Sequence, residues 1–259
     1  MLKRLAFAAY GVVSYVIFLG TFLYAIGFIG NLGTPTALDA PSSAPLGLAL
    51  AIDAGLLVLF AVQHSVMARQ WFKERWTRLV PPPIERSTYV LFSSLALILL
   101  FWQWRPMGGQ IWSVSDPVGR IVLSTLFAFG WGLVLVATFL INHFDLFGLR
   151  QVWLALVGRP YTSLGFATPG PYRLVRHPLY VGWLFAFWMT PTMTLAHLVF
   201  AIATTSYILL AIQFEERDLV TFHGHAYEEY RRHVPMLIPF ARRRQRHSPP
   251  AHASTSPLR

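Results

Sequence analysis

Residues Leu5–Phe28 read LAFAAYGVVSYVIFLGTFLYAIGF, an apolar run without a single charged side chain. An α-helix needs about 20 consecutive apolar residues to cross the hydrocarbon of a bilayer. Lys3 and Arg4 precede the run, as in a secretory signal peptide, but the stretch continues to about Gly30 and is too long for that interpretation. The sequence therefore predicts a retained first transmembrane helix.

The rest of the chain contains further runs of this kind. Transmembrane helices are predicted over Gly47–Met67, Thr88–Trp104 and Gly119–Ile141. The stretch Pro178–Phe214 is interrupted by Thr-Pro-Thr at 190–192, and its first arm is too short to cross alone, so it predicts a helical hairpin. Charged residues make up 12% of the chain, whereas soluble domains average about 25%. The predicted fold class is all-α: a polytopic membrane protein with four transmembrane helices plus a C-terminal helical hairpin.

Basic residues are concentrated in every second connection between these helices, and the intervening loop 105–117 carries a single Arg. They occur before the first helix, in 69–86, in 142–177 and after the hairpin, whereas the first long loop and the hairpin turn have none. By the positive-inside rule, both termini are expected in the cytoplasm. The segment Glu215–His233 places apolar residues at helical spacing between charges, which predicts a helix lying at the cytoplasmic interface.

The C-terminal residues 241–259 contain five arginines and no acid. They are expected to form a disordered tail that meets the anionic headgroups of the lipid bilayer, while residues 1–240 form one membrane-embedded domain. One short basic tail is weak evidence for nucleic-acid binding, so no nucleic-acid partner is expected. The chain has no Cys, which excludes disulfides and thiolate metal sites, and no metal centre is predicted.

A group of polar residues opens the hairpin, in the sequence GPYRLVRHPLYVG that ends at Gly182. Pro178 suits the first position of a helix, which places His177 near the N-cap, where free N–H groups favour an anion. Arg173 and Arg176 add positive charge that could grip a carboxylate. Gly182 would let a ligand approach the backbone. The alternative is that both arginines only anchor a helix end to lipid headgroups.

Two adjacent carboxylates, Glu215 and Glu216, end the second arm of the hairpin. Carboxylates at an apolar boundary are costly unless they are paired. Because both ends of a hairpin meet at one membrane face, these acids are expected to lie near the Arg/His group. Together they would suit a zwitterionic ligand with a large apolar body. The alternative is an internal Glu–Arg pair that closes the hairpin.

The motifs RHPxYxG at 176–182, Glu-Glu and then GxxYxxYxxxVP at 224–235 form an ordered set within about 170–239. This set resembles the isoprenylcysteine carboxyl methyltransferase and phospholipid methyltransferase superfamily, although His223 stands where that superfamily often has Phe. The resemblance implies S-adenosylmethionine as the cofactor. With the neighbouring Arg173 and Pro178, the predicted cofactor-binding residues are Tyr172, Arg173, Arg176, His177, Pro178, Tyr180, Gly182, Glu215 and Glu216.

Three further segments narrow the resemblance. They are QHS at 63–65, PIERSTY at 83–89 and NHFDLFGLRQVW at 142–153. They resemble the bacterial methanethiol S-methyltransferases, a branch near the NnrU-like membrane proteins, and the similarity covers nearly all of residues 1–240. It implies methylation of a small thiol, methanethiol, to dimethyl sulfide at the bacterial inner membrane, with S-adenosylhomocysteine as coproduct.

A thiol acceptor must lose its proton, and an alkyl thiol is mostly protonated at neutral pH. The candidate catalytic residues are His143, Asp145 and His64, with Arg150 as a possible substrate-positioning group. His143 and Asp145 can cooperate only outside a regular helix, because residues two apart face apart on a helix. Each candidate also has a structural alternative: a helix cap for His143, an Asp145–Arg150 pair, and an interhelical hydrogen bond for His64.

Two other classes of function stay open on the sequence. The same fold could methylate a lipid, a prenyl-cysteine or an amine, which would require a lateral opening between helices. A haem-binding or transport protein would instead use His64, His143 and His177. The scarcity of ionisable groups near the membrane midplane argues against transport.

Overall fold

The computed structural model describes residues 1–42 and 44–240. In chain order the helices are α1 (Leu2–Gly30), α2 (Leu46–Ala68), α3 (Gln70–Trp76), α4 (Pro82–Gln103), α5 (Pro117–Ile141), α6 (His143–Leu146), α7 (Leu149–Leu156), α8 (Pro178–Trp188), α9 (Leu195–His223) and α10 (His225–His233). Two short strands, β1 (Gln110–Ser113) and β2 (Thr192–Thr194), and a 3-10 turn at Gly170–Arg173 complete the secondary structure of the described residues.

Helices α1, α2, α4, α5 and α9 are each long and apolar enough to cross a membrane, with 22 to 29 residues. Large apolar side chains such as Val58, Ile121 and Leu210 are exposed on their outer faces. Extended apolar surface of this kind marks contact with lipid. The chain is therefore an integral membrane protein, and the predicted all-α polytopic fold is confirmed.

The C-terminal hairpin consists of the short helix α8 and the long helix α9. Helix α8 has 11 residues, about half the length needed to cross the hydrocarbon. It packs closely on α5, because a Cβ atom on Gly182 would lie 2.8 Å from the carbonyl oxygen of Gly130. The hairpin with a short first arm is thus as the sequence predicts.

Helix α9 runs further than the sequence pattern indicates. It continues without a break to His223, turns at Gly224, where φ is +55°, and is followed by α10. The prediction of a separate helix over Glu215–His233 is therefore corrected. A helix of 29 residues is about 43 Å long, so part of it extends beyond a hydrocarbon layer of about 30 Å.

The two ends of the helix bundle differ in chemistry. We call the end that carries Lys3, α3, α6, α7 and α10 the basic end. At the opposite end, β1 pairs with β2 in antiparallel register, with Trp112 facing Met193. This small sheet was not predicted, because each strand is too short to show an alternating pattern. The predicted basic tail, 241–259, lies outside the described residues.

The opposite end is closed by a buried ion pair. His197 Nδ1 lies 2.8 Å from Asp39 Oδ2, and its Nε2 lies 2.9 Å from the carbonyl oxygen of Phe187. Both ring nitrogens thus face hydrogen-bond acceptors, a carboxylate at Nδ1 and a backbone carbonyl at Nε2. The pair ties the loop after α1 to the start of α9. Burial by itself would raise the pKa of Asp39, but the hydrogen bond and charge of His197 outweigh it and hold the pKa below its usual value.

Candidate active site

The two polar groups at the ends of the hairpin meet at the basic end. Arg176 donates from Nε to Oε1 of Glu216 over 2.7 Å, and its Nη2 lies 2.6 Å from the same oxygen. Nε2 of His177 is 3.1 Å from that oxygen. Arg176 and His177 are only 5% and 4% exposed. This convergence is what the hairpin geometry predicts.

The remaining hydrogen bonds of Arg176 are also made to groups of the protein itself. Its Nη1 donates to the carbonyl oxygen of Val234 over 2.6 Å, and its backbone N–H donates to that of Pro235 over 2.8 Å. The guanidinium thus holds Glu216 and the chain that follows α10. The expectation that Arg176 clamps a ligand carboxylate is corrected to the internal ion pair, which was the alternative interpretation of the sequence.

Glu215 lies beside this pair and faces outward. Tyr180 donates a hydrogen bond to its Oε2 over 2.9 Å, and His177 Nδ1 lies 3.9 Å from the same oxygen. The side chain of Glu215 is 44% exposed, against 12% for Glu216. Glu215 is therefore the carboxylate of this cluster that a ligand can reach.

Two buried tyrosine hydroxyls border the carboxylates. The hydroxyls of Tyr172, in the 3-10 turn, and Tyr227, in α10, have no hydrogen-bond partner among the described residues. Burial, together with the charge of Glu215, raises the pKa of Tyr172, and burial with the charge of Glu216 raises that of Tyr227. Both hydroxyls therefore stay protonated. Buried donors without partners are costly, and a ligand with acceptor oxygens would satisfy them.

The remaining residues of the predicted cofactor set take different places. Pro178 is the first residue of α8 and His177 its N-cap, as predicted. Arg173 is exposed and makes no ion pair within the described ranges. Gly182 does not border open space: it contacts Gly130 and Val134 of α5. The prediction that Gly182 admits a ligand is wrong, because this glycine serves close helix packing.

An irregular connection covers the cluster from the outside. Phe166, between α7 and the 3-10 turn, has its ring centroid 5.8 Å from that of Tyr227 and 5.4 Å from that of Tyr230. Phe166 was not predicted as a site residue, because a single aromatic residue in an irregular segment has no periodic signal. Tyr227 was quoted in the motif set but given no role, although its spacing from Tyr230 places both on one face of α10.

His143, the first residue of α6, is held by hydrogen bonds and by contacts with aromatic rings. Thr138 donates its hydroxyl proton to the carbonyl oxygen of Leu135, so its oxygen accepts from Nδ1 of His143 at 2.9 Å. Nε2 then accepts from the hydroxyl of Tyr15, 2.8 Å away. Phe139 stacks on the imidazole with centroids 4.2 Å apart, and burial lowers the pKa of His143. The ring is neutral, with Nδ1 donating to Thr138 and Nε2 accepting from Tyr15, and its assignment as the base stays a prediction.

Asp145 does not contact His143. Its Oδ1 accepts from Arg150 Nη1 over 3.0 Å, and its Oδ2 accepts from the hydroxyl of Tyr161 over 3.2 Å. Arg150 also donates to the carbonyl oxygen of Thr162 over 2.8 Å. The predicted His143–Asp145 pair is thus corrected: Asp145 and Arg150 fasten the segment that leads to Phe166. A substrate-positioning role of Arg150 stays a prediction.

His64 lies in a polar cluster between α2 and α4. The hydroxyl of Tyr89 is 2.9 Å from its Nε2 and 3.0 Å from its Nδ1, and Ser93 Oγ is 3.2 Å from Nδ1. His64, His143 and His177 each bond to different groups, so the described structure does not unite them at one centre. The haem-binding interpretation of these histidines therefore has no geometric support.

Comparisons with known proteins place the chain in one family. No protein-family profile and no solved structure match it. The methanethiol S-methyltransferase of Crocosphaera subtropica is 63% identical over 239 residues, which are 92% of this chain and 94% of that protein. The enzyme of the same name from Mycobacterium tuberculosis is 56% identical over 242 residues, 93% and 99% of the two chains.

A more distant relative is Nurim of Bos taurus, which is 30% identical over 207 residues, 75% of this chain and 78% of that protein. The enzymes above share both higher identity and nearly full coverage with the chain. They also match it across the membrane helices as well as the C-terminal motifs. The chain therefore belongs to the methanethiol S-methyltransferase family.

Proposed function

We propose that this enzyme transfers a methyl group from S-adenosylmethionine to methanethiol and releases dimethyl sulfide and S-adenosylhomocysteine. Family membership supports the reaction and the acceptor. The observation that carries the cofactor site is the pair of buried, unpartnered hydroxyls of Tyr172 and Tyr227 beside the reachable carboxylate of Glu215. Such donors and an acceptor side by side suit the amino, carboxylate and hydroxyl groups of that cofactor.

The cluster divides into residues that hold the cofactor and residues that position them. Glu215, Tyr172 and Tyr227 would bind it, with the exposed Arg173 as the nearby cation. Arg176, His177 and Glu216 keep the hairpin ends together, while Pro178 starts α8 and Gly182 seats that helix on α5. Tyr180 orients Glu215 through its hydrogen bond. When bound, S-adenosylmethionine supplies an electrophilic methyl group on a sulfonium.

A membrane setting suits this chemistry. A thiolate and a sulfonium react to give two neutral products, so a dry apolar pocket disfavours the reactants more than the transition state. A small thiol also partitions into the apolar region between helices without needing a charged path. The basic end, with the positive-inside rule, supports a cytoplasmic position for both termini and for the cofactor site at the bacterial inner membrane.

The first experiment tests the reaction itself. Purified protein in liposomes is incubated with S-adenosylmethionine and methanethiol, and dimethyl sulfide in the headspace is measured by gas chromatography. We expect product that depends on both protein and methyl donor, with equal S-adenosylhomocysteine. No product above the control without enzyme, alongside methylation of lipid in the same vesicles, would show that the acceptor is a lipid.

The second experiment tests the cofactor site with Glu215→Gln, which leaves the buried Glu216 pair intact. A hydrogen bond to a charged group is worth about 1.5–3 kcal/mol, so calorimetry should show S-adenosylmethionine binding weakened roughly 10- to 150-fold. The matched control is Glu229→Gln on the exposed face of α10, for which affinity should not change. Unchanged affinity in Glu215→Gln would place the cofactor elsewhere.

A further inference from the structure

We propose that Tyr89 and His64 form a proton relay that ionises the acceptor thiol. This inference rests on the proposed function, and it assigns a task to residues outside the cofactor cluster. The relay lies between α2 and α4, where Tyr89 is 7% exposed and hydrogen-bonded to the imidazole of His64. Tyr89 would touch the thiol, and His64 would receive the proton.

The three segments that narrowed the sequence resemblance converge at this cluster. QHS at 63–65 supplies His64, and PIERSTY at 83–89 supplies Arg86 and Tyr89. The third segment joins them, because Arg86 donates from Nε to the carbonyl oxygen of Leu146 over 2.7 Å. Segments far apart in the chain thus meet around one polar cluster.

The cluster is connected to the helix that carries Glu215. Ser65, next to His64, hydrogen-bonds to the hydroxyl of Tyr207 on α9 over 3.0 Å. Tyr207 precedes Glu215 by two helical turns, about 12 Å along the helix axis. Through Ser65 and Tyr207 the relay is therefore linked to the helix that ends in the cofactor cluster, and it lies deeper in the bundle than Glu215.

The side chains around His64 and Tyr89 suit the ionisation of a thiol. Aromatic rings enclose His64, with the centroids of Phe60 and Tyr89 each 5.2 Å from that of the imidazole. The guanidinium of Arg86 lies 4.9 Å from the centroid of the Tyr89 ring, which places a positive charge beside the negative charge that develops on sulfur. Oε1 of Gln63 is buried without a partner among the described residues. It can accept a hydrogen bond from the thiol before transfer.

The proton transfer is balanced within these groups. The S–H bond breaks and its proton forms an O–H bond on Tyr89, while the electron pair stays on sulfur. The original hydroxyl proton of Tyr89 passes to a ring nitrogen of His64. After methylation of the sulfur, His64 returns its proton to water. The charged and titratable groups that face the relay are Arg86 on α4, Tyr207 on α9 and Tyr180 on α8, with Arg69 at the end of α2.

The test is the pH dependence of turnover in the full-length protein in liposomes. Positioned acid–base catalysis contributes about 10²–10⁴-fold, so His64→Gln and Tyr89→Phe should each be at least about 100-fold slower than wild type at pH 7. The deficit should shrink roughly tenfold per pH unit as the thiol ionises by itself. The matched control is Tyr10→Phe, which removes a hydroxyl bonded to Thr88 at 3.0 Å, one residue from Tyr89.

A second readout does not depend on turnover. The protein is labelled with isotopes at histidine, and the nuclear magnetic resonance signal of His64 is assigned by its absence in His64→Gln. That signal is then followed as methanethiol is added without a methyl donor. We expect a shift toward the imidazolium position, absent in Tyr89→Phe. The relay would be overturned if turnover in His64→Gln and Tyr89→Phe depended on pH as in wild type. It would also be overturned if the His64 signal did not change when methanethiol is added. Failure of the proposed function is distinct, because wild type itself would then produce no dimethyl sulfide.

Discussion

Replacing Arg176 by Met separates a structural role for this guanidinium from a direct role in cofactor binding. The side chain of Arg176 is 3% exposed and lies 2.6 Å from Glu216, so Arg176→Met leaves a largely buried carboxylate without its main partner. Breaking a buried ion pair from one side costs about 3–5 kcal/mol. For a chain of this size the midpoint of thermal unfolding should therefore fall by about 6–20 °C.

The measurement is thermal unfolding in detergent micelles, combined with calorimetry of S-adenosylmethionine at a temperature where the variant is folded. The double variant Arg176→Met, Glu216→Gln should recover part of the lost stability, because it removes the orphaned charge. The matched control is Arg232→Met, whose ion pair to Glu229 spans 3.6 Å on the exposed face of α10 and should contribute no more than about 1 kcal/mol. An unchanged unfolding midpoint with lost cofactor affinity would refute the reasoning and make Arg176 a ligand clamp.

Two further predictions concern buried groups away from the cofactor. His143→Gln should lower the free energy of unfolding by about 1–3 kcal/mol, since Tyr15 and Thr138 lose their partner. The pH–rate profile of this variant should match that of wild type, and a different profile would support His143 as the base. Asp39→Asn should cost about 3–5 kcal/mol at neutral pH, because it removes the carboxylate from a buried pair with His197. The pKa of Asp39 is lowered by folding, so its contribution is present above about pH 4 and is lost on acidification. Thermal unfolding measured from pH 7 to pH 3 should therefore fall less steeply in Asp39→Asn than in wild type, and parallel curves would contradict the assignment.

The features predicted correctly from the sequence depend on short stretches of chain. Membrane helices are set by the length and apolarity of a continuous run, so the bounds of α1, α2 and α5 follow from the sequence to within three residues. Helix α4 begins at Pro82, six residues before the predicted start at Thr88, because its first turns carry Glu85 and Arg86. The meeting of His177 with Glu216 also follows, because an antiparallel hairpin returns the chain to the face it left. The end of α9 was placed wrongly, since charged residues after Phe214 mark a change of environment and not a break in the helix.

The features that were missed depend on contacts between distant segments. Nothing near Gly182 shows that Gly130 of α5 will occupy the space beside it, so a packing glycine was taken for a ligand-binding one. The same holds for His143, whose partner Tyr15 is 128 residues away. Residue type and local spacing suggest what a side chain is able to do. Only the packing of α1 against the end of α5 decides that this imidazole has no free nitrogen.

The proposed relay could be predicted from the sequence only in part. Arg86, Tyr89 and Ser93 are spaced i, i+3 and i+7, so a helical interpretation already places them on one face of α4. The sequence does not reveal which helix that face meets, and α2 presents His64 there through the hydrogen bonds to Tyr89 and Ser93. Because an imidazole within reach of hydroxyls on a neighbouring helix is also a common structural arrangement, geometry alone identifies the candidate. The change in pH dependence on removing the Tyr89 hydroxyl then separates a proton carrier from an interhelical hydrogen bond, since only the first makes turnover depend on the ionisation of the free thiol.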